Sequence, residues 1–329
     1  MPVLIFAGWL GVLVVGALGL AALLAVGVHA TLREPYRPVA RRFRLDLPDG
    51  WPALSVVHIS DLHVQREDPR LWQVQTRALA GLRPDLVCVT GDVCEKADDV
   101  PLLVEVLRAA QPRFGTFIIL GNHEHGASVP ATLHPQVKKR WRRIVDPMLD
   151  RLVRARASDG VEEGHAIGAG LAAAGFTVLH NEGQRIEDNG RTLWIAGCDS
   201  AWAGHADMAA AFAGRRLDEP CLALIHEPDL AFEAAGAGAD LILAGHTHGG
   251  QVRLPIVGTL ITHRIDERIQ VAHGFQRIGR ALLHITSGLG HTVALRFRCP
   301  PEVVWLDCLP AEPAPIQREA FEDLLVAAR

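Results

Sequence analysis

The chain predicts an α/β architecture, and three observations point there. Short apolar, β-prone runs alternate with segments of helical period. Five of those runs end in Asp, Asn or His, and one long apolar stretch near the amino end carries no charge. Strands that alternate with helices favour a parallel sheet. Strands buried on both faces read as continuous apolar runs bounded by turn residues.

From the amino end, Val3 to Val28 is apolar throughout and long enough to span a bilayer with some tilt. No basic segment precedes it, and the apolar core is too long for a signal peptide, so residues 1–30 read as a transmembrane anchor. Arg33, Arg37, Arg41, Arg42 and Arg44 follow it, with no cation before. The positive-inside rule then places the span in the inner (cell) membrane as a single pass with the following domain in the cytoplasm. Residues 31–50 read as a basic juxtamembrane linker, either simply solvated or held against anionic headgroups. Within them, Arg44 to Pro52 reads as an edge strand ending in a turn, on Pro48, Asp49, Gly50 and Pro52.

The main domain is expected over residues 51–310. Leu54–Ile59, Leu86–Val89, Phe117–Leu120, Leu222–Ile225 and Leu241–Ala244 read as buried strands, with a further strand-like run at Phe176–Leu179. Asp68 to Leu82 carries Leu71, Val74, Ala78, Leu79 and Leu82 at helical spacing, and Val100 to Ala110 repeats the pattern with Pro101 at its start. Residues 125–170 interrupt the alternation. They place Lys138, Lys139, Arg140, Arg142 and Arg143 around Trp141, ahead of an amphipathic stretch. That composition suits a cap over a site or a lipid contact, and equally an ordinary solvated surface helix. Residues 311–329 read as a Pro-rich tail followed by a short surface helix.

The chemistry lies at the strand ends. Asp61-x-His63, Gly91-Asp92, Gly121-Asn122-His123-Glu124, His226 and Gly245-His246-Thr247-His248 each follow one of the five apolar runs. Alone, a His-x-His is more often a surface or hydrogen-bonded pair than a ligand pair. Five strands ending this way would line one edge of a sheet with carboxylates, an amide and imidazoles, outside the carboxyl ends where α/β folds build their sites. Oxygen and imidazole donors without thiolate suit Mn, Fe or Zn. Two such ions about 3.5–4 Å apart need a bridging anion, which Asp92 can supply, and together they can clamp a phosphoryl oxygen and acidify a water. His123, beside Asn122, is better placed for substrate, where a protonated imidazole can stabilise charge or protonate the leaving oxygen. Glu124 is the carboxylate expected to hold that imidazole cationic.

In this order the motifs resemble the calcineurin-like metallophosphoesterases, over nearly all of Leu54 to Leu309. The resemblance implies a four-layer α/β/β/α sandwich, preceded here by one transmembrane helix, and a dinuclear metal centre. It further implies that Asp61, His63, Asp92 and His248 bind one ion, that Asp92, Asn122, His226 and His246 bind the other, and that His123 is catalytic. Where the family often has Asp in the third motif, this chain has Glu124. Gly249 to Pro255, Ser287-Gly288-Leu289-Gly290 and Arg296 to Glu302 are similar to the bacterial membrane-associated branch. That branch holds phosphodiesterases and the UDP-2,3-diacylglucosamine pyrophosphatases of lipid A synthesis.

Composition trims the alternatives. The formal charge of −4 over 329 residues provides no basic field for nucleic acid. The six cysteines have no C-x-x-C spacing and read as buried, reduced thiols. The expected partners are the bilayer and a lipid-linked or nucleotide-linked phosphate substrate, with no protein partner signalled. A phosphodiesterase of soluble substrates is the second reading, and a non-catalytic metal-binding membrane scaffold the reading from another class. His58 is expected to pack or hydrogen-bond within the sheet, His125 to be either a substrate contact or a solvated loop histidine, and His205 to lie in a plain turn rather than line a pocket.

Overall fold

Period-two burial organises the molecule. In the strand Leu54–Ile59, Leu54 and Val56 enter a core between two sheets, while Val57 and Ile59 enter a second core beneath helices. Both faces are covered, which is why the run reads as continuously apolar. The structure is a computed structural model and describes residues 2–127, 132–133, 160–256, 258–259, 261–262, 266–311 and 317–319.

The first sheet uses β1 (Val39–Leu47), β2 (Leu54–Ile59), β3 (Leu86–Thr90) and β4 (Thr116–Ile119). After the short β5 (Thr132–Leu133) it takes β6 (Thr177–Val178), and near the carboxyl end β16 and β17. The second sheet uses β7 (Glu182–Asp188), β8 (Arg191–Gly197), β9 (Cys221–Leu224) and β10 (Leu241–Ala244). Three two-residue strands follow, β11 (Arg253–Leu254), β12 (Gly258–Thr259) and β13 (Ile261–Thr262). Then come β14 (Gly274–Ile278) and β15 (Ala281–Ile285) of the second sheet, and β16 (Glu302–Pro310) and β17 (Gln317–Glu319) of the first. The order is β17-β1-β16-β2-β3-β4-β6 in one sheet and β14-β15-β10-β9-β8-β7 in the other. In the first, β2, β3, β4 and β6 run parallel, and in the second β8, β9, β10 and β15 do.

The helices are α1 (Pro2–Val28), α2 (Pro69–Leu79), α3 (Val100–Arg108), α4 (Gly160–Ala173), α5 (Met208–Ala211) and α6 (Ala231–Gly236). Leu71, Leu79, Leu103, Leu107, Ile167 and Leu171 of α2 to α4 are buried, most of them in the core on the outer face of the first sheet. Met208, Ala211, Ala231 and Ala234 cover the second sheet on its far side. With the inter-sheet core between them, the layers are α/β/β/α, as expected. Asp68 starts α2 by accepting from the Leu71 N–H, with Pro69 at the first helical position.

Two expectations at the ends are corrected. Within residues 31–50, Val39–Leu47 are not a linker: they form β1 inside the first sheet, parallel to β16 and antiparallel to β17. Three of the arginines expected to be either solvated or held against headgroups are ion-paired in the fold, Arg41 with Glu302, Arg42 with Asp307 and Arg44 with Asp46. Alternate residues Leu45 and Leu47 enter the inter-sheet core, and the arginines hide that pattern in the sequence. Residues 317–319 form a strand where a surface helix was expected. The basic stretch around Trp141 lies outside the described residues. The end of the segment proposed as a cap, by contrast, is α4, and it is part of the helical layer.

α1 stands away from the rest of the protein. Leu13, Val15, Leu18, Leu20, Leu23 and Leu24 are all exposed on it, and it could cross a membrane by length and composition. A π-turn (His29–Arg33) and a 3₁₀ turn (Glu34–Tyr36) join it to β1.

Candidate metal centre

The five motifs occupy the carboxyl ends of β2, β3, β4, β9 and β10. They do not share one sheet edge: three belong to the first sheet and two to the second. The sandwich brings the two sets of strand ends together across the gap. Asp61, His63, Asp92 and His248 offer ligand atoms within 4.8 Å of one another, and so do Asp92, His226 and His246. Asp92 is common to both groups.

Local backbone makes this convergence possible. Asp61, His63, Asp92, His246 and His248 all have positive φ, between 45° and 68°. That conformation costs an L-residue about 1–2 kcal/mol, so it persists only where the surroundings demand it. Each of these residues leaves its strand with its side chain turned inward. Gly245 and Gly121 serve by close approach. A Cβ at Gly245 would collide with Ser60 and Asp61, and one at Gly121 would collide with Asp92.

The hydrogen bonds decide which atoms face the gap. His226 Nδ1 lies 2.6 Å from the Thr90 carbonyl oxygen, which only accepts, so the ring proton sits on Nδ1. That leaves the Nε2 lone pair 3.2 Å from Asp92 Oδ2 and 3.2 Å from His246 Nδ1. His63 is held alike, with Nδ1 at 3.1 Å from Glu95 and Nε2 at 3.3 Å from His248 Nε2 and 3.7 Å from Asp92 Oδ2. His248 Nε2 is 3.5 Å from Asp61 Oδ1. The Asn122 side-chain N–H donates to the Ala127 carbonyl at 2.6 Å, which orients the amide, and its buried Oδ1 has no hydrogen-bond partner among the described residues. Lone pairs gathered this closely, with an orphaned amide oxygen beside them, fit divalent cations.

Charge follows the same map. Burial pushes the Asp61 carboxyl up from its ordinary range. Burial also acts on Asp92, but His226 and His123 beside it hold that carboxyl well below the usual range. Burial opposes a proton on His123, yet Asp92 and Glu95 raise its pKa to about 9.

Glu124 is placed differently from expectation. Its carboxylate accepts from the backbone N–H groups of Asp92, Val93, Cys94 and Gly121, and so ties the β3 and β4 loops together. The carboxylate on the His123 ring is Glu95, 2.8 Å from Nδ1. Sequence reasoning passed over Glu95. The available signal was its place three residues after Asp92, on the same loop. His125 is not a solvated loop histidine: it is buried against the His205 ring, 4.7 Å between centroids.

Comparison with known proteins identifies the family of this chain. Residues 54–250 match the calcineurin-like phosphoesterase family. A UDP-2,3-diacylglucosamine pyrophosphatase, LpxG of Chlamydia trachomatis, is 28% identical over 317 residues, covering 88% of this chain and 95% of that protein. The phosphodiesterase YaeI of Escherichia coli is 29% identical, covering 79% of this chain and 83% of its own. The metallophosphoesterase YkuE of Bacillus subtilis, with no assigned activity, is 28% identical over 88% of this chain and 92% of its own.

Proposed function

This chain belongs to the calcineurin-like phosphoesterase family, and we propose that it hydrolyses a phosphodiester or pyrophosphate bond of a lipid-linked substrate such as UDP-2,3-diacylglucosamine. Membership makes it a metal-dependent hydrolase. The observation that carries the two-metal hydrolytic reading is Asp92 standing in two donor groups at once. Asp61, His63, Asp92 and His248 would hold one divalent cation, and Asp92, Asn122, His226 and His246 the other. Two such ions, when bound, supply charge for a phosphoryl oxygen and acidify a water. Imidazole and oxygen donors point to Mn, Fe or Zn.

The remaining work falls to the chain's own residues. His123 stands outside the two donor groups that share Asp92, in a third close group with His63 and Glu95, and carries the proton destined for the leaving oxygen. With Asp92 committed to metal binding, Glu95 would be the charge that keeps His123 protonated and oriented. Glu124 keeps the β3 and β4 loops in register through its four backbone contacts.

Support for a lipid-linked substrate comes from the LpxG likeness together with the exposed apolar α1. In this reading α1 anchors the protein in the cell membrane, and the arginines after it place the catalytic domain in the cytoplasm. The YaeI likeness favours a second reading, a phosphodiesterase of soluble substrates. Assay of the detergent-solubilised full chain with Mn²⁺ separates the two. Hydrolysis across the pyrophosphate of UDP-2,3-diacylglucosamine adds water and releases UMP and the acylated sugar 1-phosphate. Turnover of bis-p-nitrophenyl phosphate without UMP release would favour the soluble-substrate reading.

A further inference from the structure

Outside α1, the large apolar side chains exposed among the described residues are Leu32, Leu217, Leu254, Ile256 and Val293. Leu217 precedes β9, at the end of that strand opposite His226. The other four lie on segments tied to the exit of α1. The Arg296 N–H donates to the Ala30 carbonyl at 2.8 Å, and the Cys299 N–H to the buried Glu34 carboxylate. The Arg253 N–H donates to the Phe297 carbonyl and the Phe297 N–H to the Gln251 carbonyl, on either side of the Val252–Phe297 bridge, which fixes the base of the β11–β12 hairpin to the same loop. Leu254 is on that hairpin and Ile256 in its turn, while Val293 precedes Arg296 by three residues.

Ile256 is the most telling of these. Its relative exposure is 108%, and its φ is +69°, a conformation β-branched residues rarely adopt. In water an apolar tip gains nothing from that arrangement. Arg33, Arg37 and Arg298 are exposed along the same segments. Apolar prongs among cations suit the boundary between acyl chains and anionic headgroups. The same segments also reach the candidate metal centre. Arg296 lies 3.5 Å from His248 Nδ1, Cys299 Sγ contacts the His248 carbonyl at 3.3 Å, and Arg253 donates to the Gly249 carbonyl at 2.9 Å.

We infer that Leu32, Leu254, Ile256 and Val293 form a rim that inserts into the headgroup layer of the membrane α1 enters, seating the mouth of the phosphoesterase site on the bilayer. The inference rests on reading α1 as an anchor. It adds a second, peripheral contact, through which a lipid-linked phosphate reaches the His248 loop without leaving the interface. Continuity with α1 singles out a bilayer over a protein partner as the occupant.

The test uses the full chain in vesicles of phosphatidylethanolamine and phosphatidylglycerol. All six native cysteines are buried, so an environment-sensitive thiol probe can be placed at Ile256→Cys, Val293→Cys or Leu217→Cys. The rim requires a blue shift, and quenching by lipids brominated near the headgroup, at 256 and 293 but not at 217. Floating protein whose probes at 256 and 293 match the one at 217 overturns the rim while leaving the anchor standing. Protein that fails to float with vesicles overturns both. A blue shift at 256 that appears in detergent and grows with protein concentration assigns the patch to a second copy and also overturns the rim. In activity, the double variant Ile256→Asp, Val293→Asp should lose turnover of a vesicle-embedded substrate several-fold and keep its rate on bis-p-nitrophenyl phosphate. Equal losses on both substrates would mean that the hairpin supports the fold instead.

Discussion

Two histidine pairs meet between the facing sheets. His226 and His246 approach to 3.2 Å at the strand ends, and His58 and His284 to 2.9 Å on β2 and β15. Thr90 touches both pairs. Its carbonyl fixes the His226 tautomer, and its hydroxyl lies 3.0 Å from His58 Nε2. Residue type therefore does not separate the two regions. Neither His58 nor His284 has positive φ, and among the described residues no carboxylate is hydrogen-bonded to either ring. Burial pushes both below the ordinary histidine range, His284 to about 3, so both are neutral and one ring donates to the other. His246 sits at positive φ next to the Asp92–His226 contact, where imidazole and carboxylate donor atoms converge. Carboxylates and strained strand ends distinguish a candidate metal site from a satisfied core pair.

The comparison breaks most readily at Asp92. Asp92→Asn removes the charge common to both donor groups, which should cost several kcal/mol of charge stabilisation, or ~10³-fold in kcat. Elemental analysis should show both ions depleted; full occupancy with normal turnover would end the dinuclear reading. A middle-sized effect is expected beside the site. His123→Ala should keep its metals and lose about 10²–10⁴-fold in kcat. Glu95→Gln should lose about 10–100-fold, as orienting partners of ligands and catalytic rings usually do, with KM little changed. Should Glu124→Gln reproduce the Glu95 effect on kcat with no loss of thermal stability, the assignment of the two glutamates would be reversed.

The smallest effect belongs to the buried pair. His284→Leu leaves a His58 nitrogen without its partner, at a cost of about 1–3 kcal/mol in stability and none in metal content or kcat. The sign of its pH dependence is fixed by a folded pKa near 3 against an ordinary 6.5. The unfolded chain takes up this proton first, so the contribution is complete above 6.5 and is lost as pH falls below it. Urea unfolding near pH 7 and about pH 5 should show the wild type losing more stability than the variant across that interval. Parallel losses would mean that His284 is not held neutral by the fold.

How much was legible in advance follows from what is local. Donor chemistry and strand ends are written in short contiguous stretches. Leu54–Ile59 and Leu241–Ala244 are strands with the same limits expected from the sequence, and all seven proposed ligands follow expected strands. The six cysteines are buried and free, as their spacing indicated. What could not be read depends on which distant segments pair. Five strand ends in sequence look like one sheet edge, and only the packing of two sheets over a shared apolar core puts β9 and β10 opposite β2, β3 and β4. Arginines on β1 look solvated until Glu302 and Asp307 arrive from more than 250 residues away. Glu95 and Glu124 are the same residue type on neighbouring loops. Four backbone N–H groups capture Glu124, while Glu95 is left facing two imidazoles. Composition and spacing can name the donors, but a carboxylate's role is set by which donors surround it, and that is decided when loops from separate strands close on one another.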